Sequence, residues 1–434
     1  MNYRKTMGYS VGLLLTVMAG TGVAQGLGPQ EQLGKSIFFD ENLSIRHNQS
    51  CASCHAPEVG WTGPDATLNA GGSVYEGSIQ NRFGNRKPPS SAYATLSPIL
   101  HYVTDAEATV FVGGNFWDGR ATGEKLGNPA ADQAQGPFLN PLEQALTDSA
   151  CVVYRVCTAG YPVTFSQVWG YEACNINWPR NIHGVCETKD RQVSLSPADR
   201  AKSDQAYNKI ALSIKDFEAS SESNAFTSKY DSHVAGNTTL TPEEQNGLAL
   251  FNDKGKCANC HTLDPDSNGK ALFTDFTFDN LGVPRNPANP WYGMKKFNPL
   301  GTAWVDLGLG EFLNTRQDYQ PFAAENYGKQ KVPTLRNVDK RPYPGFLKAY
   351  AHNGYFKSLK GIVHFYNTRD TKAQCPNLFT TEAQALVQNC WPAPEVDINV
   401  NTDELGNLGL SPTEEDDIVA FLKTLSDGYI SPNP

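Results

Sequence analysis

Two five-residue strings, CASCH at Cys51 to His55 and CANCH at Cys257 to His261, constrain this 434-residue chain more than any other feature. Two thiols separated by two residues can each form a thioether with a haem vinyl group, and the histidine that follows presents its imidazole to the iron. One such string could be a redox dithiol. A second one makes two covalently attached c-type haems the simplest reading. Cys51, Cys54, Cys257 and Cys260 then become the attachment points, and His55 and His261 the proximal iron ligands.

The segments around the strings resemble each other. "LGKSIFF" before the first and "NGLALF" before the second both place a glycine, an aliphatic residue and a phenylalanine on a helix that delivers the chain to the motif. Thr241 and Pro242 open the second helix, with Glu243 and Glu244 suited to its positive end. Ser196 with Pro197 opens another helix, whose face carries Tyr207, Ile210, Ile214 and Phe217, and Ser411 with Pro412 leads to Ile418, Phe421, Leu422 and Leu425. Strand-like alternation is scarce, while glycine and proline are plentiful. The fold class is therefore mostly α, with two tandem cytochrome c-like domains, one haem in each, and long connecting loops. The predicted domains are 25–236 and 237–434, and a cysteine-rich insertion at about 150–190 interrupts the first.

Arg4 and Lys5, an apolar run from Val11 to Ala19 and small residues at Gly22 to Ala24 read as a signal peptide over residues 1–24. The run is too short to span a bilayer, and no later stretch is apolar over a spanning length. The expected protein is soluble, without a transmembrane span, and periplasmic or exported to the cell surface. Its formal charge of −9 argues against a nucleic-acid partner and suits a basic protein. Six of the ten cysteines lie outside the two strings, and in an exported chain they imply disulfides. Neighbour pairing predicts Cys151 with Cys157, Cys174 with Cys186 and Cys375 with Cys390. A structural zinc site is the rival, weakened because none of the six has a CxxC spacing.

What faces each iron on its far side is the next question. Methionine is the usual electron-transfer ligand, yet past the leader Met294 is the sole methionine. The remaining histidines, His47, His101, His183, His233, His352 and His364, read individually as surface or core residues. Leu359, Ile362, Val363 and Tyr366 share one helical face, which by itself favours plain packing.

The run "GKSIFFDENLS…SCASCHAPEVGW…FWDGRA…QAQGPFLNPLEQA…CANCH…KVPTLRNV…HNGYFKSLKGIVHFY" resembles the bacterial dihaem cytochrome c peroxidase and MauG superfamily from about Leu33 to the C-terminus, with no motif covering Cys151 to Cys186. The resemblance implies an exported oxidoreductase whose amino-terminal haem meets hydrogen peroxide while the second haem shares the oxidising equivalents. By position, Trp117 matches the tryptophan between the haems, and Gln133, Pro137 and Glu143 match residues of the peroxide pocket. Glu143 would move a proton from the near peroxide oxygen to the leaving one. Gly71 stands where the classical members carry a histidine that blocks the first iron. Tyr366 follows His352 by fourteen residues, the spacing of the second haem's distal ligand: methionine in the classical peroxidases, tyrosine in the MauG branch.

A tyrosinate favours higher iron oxidation states, so the resemblance points to the Tyr-ligated branch. Such a protein oxidises tyrosine or tryptophan side chains of a partner through a high-valent two-haem state. The alternative is a conventional peroxidase that reduces peroxide to water with electrons from a small cytochrome c or cupredoxin. A non-catalytic dihaem electron carrier is a third. Two departures matter. Gly255 replaces the tryptophan that passes oxidation outward in the MauG branch, leaving Trp291, Tyr292 and Trp304 as candidate relays. The family also holds an interdomain calcium ion, and one is expected here, although Lys87 replaces an asparagine of its site and "NVDKRPYPGFLKAY" lengthens the segment that supplies carbonyls.

Overall fold

The computed structural model describes residues 26–104, 109–266 and 269–431; the expected signal peptide lies outside them. Two helix pairs form the frame. Pro29–Phe38 packs across Pro197–Ala219, and Pro242–Asn252 packs across Pro412–Lys423. The Ser/Thr-Pro starts behave as their chemistry dictates. Ser196, Thr241 and Ser411 each cap a helix by accepting the backbone N–H three residues on, from Asp199, Glu244 and Glu414.

The crossings are built alike. A Cβ placed on Gly34 would lie 1.9 Å from the Ser213 carbonyl oxygen, and one on Gly247 would lie 1.9 Å from that of Asp417. Only glycine lets the backbones approach so closely. Four residues beyond each glycine, a phenylalanine stacks edge-on against a phenylalanine of the crossing helix: Phe38 on Phe217 at 5.4 Å and Phe251 on Phe421 at 5.2 Å between centroids. The shared "Gly, aliphatic, Phe" pattern is thus the sequence trace of one helix crossing used twice.

Buried apolar side chains gather in two main clusters. One runs from Leu33 to Phe217 and takes in Leu272, and the other runs from Tyr230 to Leu425. The short helix Lys229–Val234 precedes the boundary expected at 236, yet its Tyr230 packs on Phe273 and Phe421 of the second cluster. Among the described residues, extended structure amounts to three two-stranded pieces, the longest pairing His101–Thr104 antiparallel with Thr109–Val112. No described helix is long and apolar enough to cross a membrane.

The cysteine-rich insertion corrects two of the three expected disulfides. The bonds are Cys151–Cys186 and Cys157–Cys174; only Cys375–Cys390 forms as expected. Cys151 and Cys157 both sit on the helix Ser149–Thr158. Six residues of helix advance the chain by about 9 Å, beyond the roughly 7 Å a disulfide can span between Cα atoms. The chain instead returns antiparallel to that helix, so the pairing is nested, with Cα separations of 5.4 and 5.7 Å.

Candidate active site

Each CxxCH string folds as a single tight turn, Cys51–Ser53 in one half and Cys257–Asn259 in the other. The histidine N–H closes each turn on the first cysteine's carbonyl, at 3.0 Å for His55 and 2.9 Å for His261. All four thiols are free of disulfides. Burial, with Glu143 nearby, pushes the Cys54 thiol up to about 12, and burial pushes Cys257 up to about 12. His55 Nδ1 donates to the Trp61 carbonyl at 3.2 Å, and His261 Nδ1 to that of Phe273 at 2.9 Å. A carbonyl can only accept, so Nε2 carries the lone pair in both rings. Burial lowers the His55 imidazole to about 4, against the pull of the Trp61 and Pro89 carbonyls, and also lowers His261. Two neutral imidazoles with a free Nε2, each beside two free thiols on a cavity wall, fit a covalently held haem in both halves.

The first cavity, about 230 Å³, gathers the residues expected of a peroxide site. Cys51, Cys54 and His55 share its walls with Trp117, Gln133, Pro137 and Glu143. Gln133 comes from the helix Pro129–Ala134, Pro137 from the helix Gly136–Leu139, and Glu143 from the turn that follows. The Glu143 carboxyl is open to the cavity but enclosed within the protein. It accepts a hydrogen bond from Asn140 Nδ2 at 2.9 Å, and its backbone carbonyl is pinned by the Ser78 N–H at 2.8 Å. Burial raises its pKa, opposed by Arg120 and by the Asn140 bond. Among the described residues lining this cavity, His55 is the sole imidazole and no methionine is present. Gly71 lies outside the lining, its carbonyl taken by Lys357 Nζ at 2.7 Å.

The second cavity, about 190 Å³, holds Cys257, Cys260, His261 and the whole apolar face Leu359, Ile362, Val363 and Tyr366 of the helix Leu359–Thr368. The periodicity that suggested packing therefore points into the cavity. The Tyr366 hydroxyl bonds to no described residue, and burial, reinforced by Cys257, Cys260 and Asp279, raises its pKa. Arg369 opposes that shift. Met294 lies elsewhere, accepting the Phe83 N–H on its sulfur at 3.3 Å.

Trp117 lines both cavities. Its indole N–H donates to the Lys87 carbonyl at 2.8 Å, and its own carbonyl accepts from the Lys331 N–H at 2.7 Å, so the ring is fixed in the shared wall.

A charge chain, buried from Asp118 to Asp306 and missed by sequence reasoning, runs beside it. Arg120, on the first cavity, is held by Asp118 at 2.6 Å; Asp118 also binds Arg86, which grips Asp306 through two nitrogens at 2.6 Å. Asp306 and His352 line the second cavity, and His352 Nε2 is buried without a hydrogen bond, 3.8 Å from Glu395. The signal was the pair of charges in "FWDGR", of which folding buries Asp118 and leaves Arg120 exposed at the end of the run.

The residues at the expected calcium position do not fit the ion. Lys348 Nζ sits among the carbonyl oxygens of Val59, Asn337 and Lys340 at 2.8, 3.1 and 3.1 Å. Lys87 Nζ bonds Thr62 Oγ1 at 2.9 Å and the Pro88 carbonyl at 3.1 Å. Lys357 Nζ gathers the carbonyls of Asn69, Gly71 and Gly354 together with Ser73 Oγ, all within 2.9 Å. Burial lowers the pKa of all three ammonium groups. Oxygens that would face a divalent cation already face side-chain donors, contributed from both halves of the chain.

Known proteins resemble this chain over most of its length. Residues 29–239 match the profile of the di-haem cytochrome c peroxidases. The methylamine utilization protein MauG of Paracoccus denitrificans is 30% identical over 426 residues, covering 96% of this chain and 95% of that protein. A cytochrome-c peroxidase of a Pseudomonas species is 27% identical, covering 82% and 78%. The crystal structure of the diheme peroxidase BthA from Burkholderia thailandensis superposes with a TM-score of 0.67 at 28% identity, over 93% of this chain and 87% of that one.

Proposed function

The chain belongs to the di-haem cytochrome c peroxidase family, a family of peroxide-dependent oxidoreductases, and from that premise we propose that it oxidises tyrosine or tryptophan side chains of an exported partner protein. It does so as a periplasmic or exported enzyme with one haem domain on each side of residue 236. The observation that carries this reading is Tyr366, an unpartnered phenol on the wall of the cavity that His261 shares, with no methionine there.

When bound, the two haems supply irons that take oxidising equivalents from hydrogen peroxide and hold them. The protein's part is attachment, orientation and proton transfer. Cys51, Cys54, Cys257 and Cys260 would tether the porphyrins, and His55 and His261 would hold the irons through Nε2. Glu143 accepts the proton of the near peroxide oxygen and returns it to the departing one, which leaves as water. Its raised pKa suits both halves of that task. Asn140 keeps the carboxyl aimed, Arg120 tempers the rise in its pKa, and Gln133 and Pro137 shape the space around the peroxide. Trp117 bridges the two sites. The Tyr366 oxygen would hold the second haem's iron from the wall of the cavity it shares with His261, and a hard anionic donor of that kind would favour higher oxidation states. A centre so held would be a poor sink for electrons from ordinary cytochromes and would suit a donor that is hard to oxidise.

The second reading is a conventional peroxidase fed by a small cytochrome c or cupredoxin, favoured by relatives that carry the name cytochrome-c peroxidase. Steady peroxide turnover with reduced cytochrome c as sole donor decides between them. Little or none is expected, and sustained turnover refutes the protein-oxidising reading. Electron paramagnetic resonance of the ferric protein tests the ligand, since tyrosinate and imidazole give distinct signals.

A further inference from the structure

Gly255 occupies the place of the outward-passing tryptophan, so an oxidising equivalent at the second cavity needs another way out. Among the described residues, one group of three redox-active rings is in contact. Trp304 lies 5.9 Å from Trp291 and 6.3 Å from Tyr292, centroid to centroid, and all three are half-buried where the loop 289–304 meets the surface. The group is joined to the second cavity. The Tyr292 hydroxyl donates to Glu395 Oε1 at 3.4 Å, Glu395 lines that cavity, and its other oxygen is 3.8 Å from His352 Nε2. The His352 ring is in turn 6.4 Å from that of Trp117.

The charge beside the triad is opposite to that of the whole chain. Lys295 and Lys296 are exposed on the same loop, Arg82 and Lys296 flank Phe297 at 5.3 and 5.7 Å, and Arg285 lies close to Tyr292. Lys189, from the cysteine-rich insertion, is near enough to Arg82, Lys296 and Arg46 to feel their charge, with Asp190 the acidic neighbour. A chain with formal charge −9 thus presents a basic rim at one place, built partly by the insertion.

We propose that Tyr292, Trp304 and Trp291 conduct oxidising equivalents from the second cavity to the surface, and that the basic rim docks an acidic exported protein whose phenol or indole side chains are oxidised there. This rests on the protein-oxidising reading above. Burial and Glu395 raise the Tyr292 pKa, so the phenol stays protonated at neutral pH and must shed its proton as it loses an electron. Glu395 takes that proton. Trp304 then gives an electron to the Tyr292 phenoxyl, and the proton returns from Glu395, restoring the phenol. The oxidised indole shares its charge with Trp291, whose buried N–H has no acceptor and so keeps its proton. A phenol on the docked protein supplies the last electron and releases its proton to water. Two such transfers balance one peroxide, which becomes two waters and leaves two phenoxyl radicals free to couple.

The test uses the haem-loaded full chain with hydrogen peroxide and, as probes, a glutamate–tyrosine copolymer and a lysine–tyrosine copolymer. Dityrosine fluorescence reports oxidation. The acidic copolymer is expected to be the better substrate, and the preference is expected to fade with added salt and in a Lys295→Glu, Lys296→Glu variant. In Trp304→Phe and Tyr292→Phe the ratio of copolymer oxidation to ascorbate-supported peroxide consumption should fall by an order of magnitude or more. Peptide mapping of the unaltered protein after peroxide alone needs no variant and should find added oxygen concentrated on Trp304 and Trp291. Oxidation centred on other rings, or a ratio unmoved by Trp304→Phe, overturns the relay. Equal use of both copolymers overturns the docking surface. A protein that consumes peroxide with ascorbate yet oxidises neither copolymer overturns the protein-oxidising reading itself.

Discussion

Replacing Glu143 with glutamine isolates proton transfer from everything else the first cavity does. The amide keeps the side chain's size and an oxygen to accept the 2.9 Å bond from Asn140 Nδ2, so the residue should stay in place. It cannot carry a proton from one peroxide oxygen to the other. General acid–base catalysis contributes about 10²- to 10⁴-fold, which at about 1.4 kcal/mol per tenfold is a barrier increase of roughly 3 to 5 kcal/mol. Stopped-flow measurement of the peroxide reaction at neutral pH should show a loss in that range, with both haems still attached.

The pH profile supplies a second check. In the unaltered protein the rate should fall as pH drops through the Glu143 pKa, which burial raises from its ordinary value, and that limb should vanish in the variant. Stability should move the other way. A carboxyl whose folded pKa is raised binds its proton more tightly in the native state, so its stabilising contribution is complete at low pH and lost as pH rises through the folded value. Glutamine removes that loss, and Glu143→Gln should melt no lower than the unaltered protein at neutral pH. A rate within tenfold of the original, or a variant clearly less stable at neutral pH, refutes the role assigned to Glu143.

Three further outcomes are expected. Tyr366→Met should raise the second haem's reduction potential while leaving both haems attached, as thioether replaces anionic oxygen; an unchanged spectrum and potential would make Tyr366 a packing residue. A calcium chelator should leave the melting temperature unmoved, whereas Lys348→Met strands the carbonyls of Val59, Asn337 and Lys340 and should cost about 3 kcal/mol or more. Chelator sensitivity in the unaltered protein would contradict this. Replacing Cys157 and Cys174 with serine opens a bond of sequence separation 17, worth about 3 kcal/mol by loop-closure entropy, and should lower the melting temperature measured by calorimetry without removing either haem.

Much of the site was legible because its chemistry is local. A CxxCH turn closes within five residues, so Cys51, Cys54 and His55 needed no tertiary information to be grouped, and the Ser/Thr-Pro starts announced helices whose caps depend only on the next three residues. The glycine and phenylalanine ahead of each motif marked the helix crossing because a backbone approach of that kind excludes every larger side chain. Motif order identified Trp117, Gln133, Pro137, Glu143 and Tyr366 as candidates. That they line two cavities sharing a wall is a fact of folding alone.

What sequence could not decide depends on which distant atoms meet. Disulfide partners follow the path of the chain, and a helix held Cys151 and Cys157 too far apart for the neighbour pairing that spacing suggested. Formal charge says nothing of where charge is placed, so neither the buried run from Asp118 through Arg86 to Asp306 nor the basic rim on an acidic chain could be read from composition. The ammonium groups of Lys348 and Lys357 find their oxygens hundreds of residues away in sequence, at Val59 and Asn69. Two CxxCH turns in repeated helical frames were readable in advance, because short-range geometry specifies them. How those frames share Trp117, and how lysines close the seam between them, emerged with folding, because burial and charge pairing belong to the assembled chain.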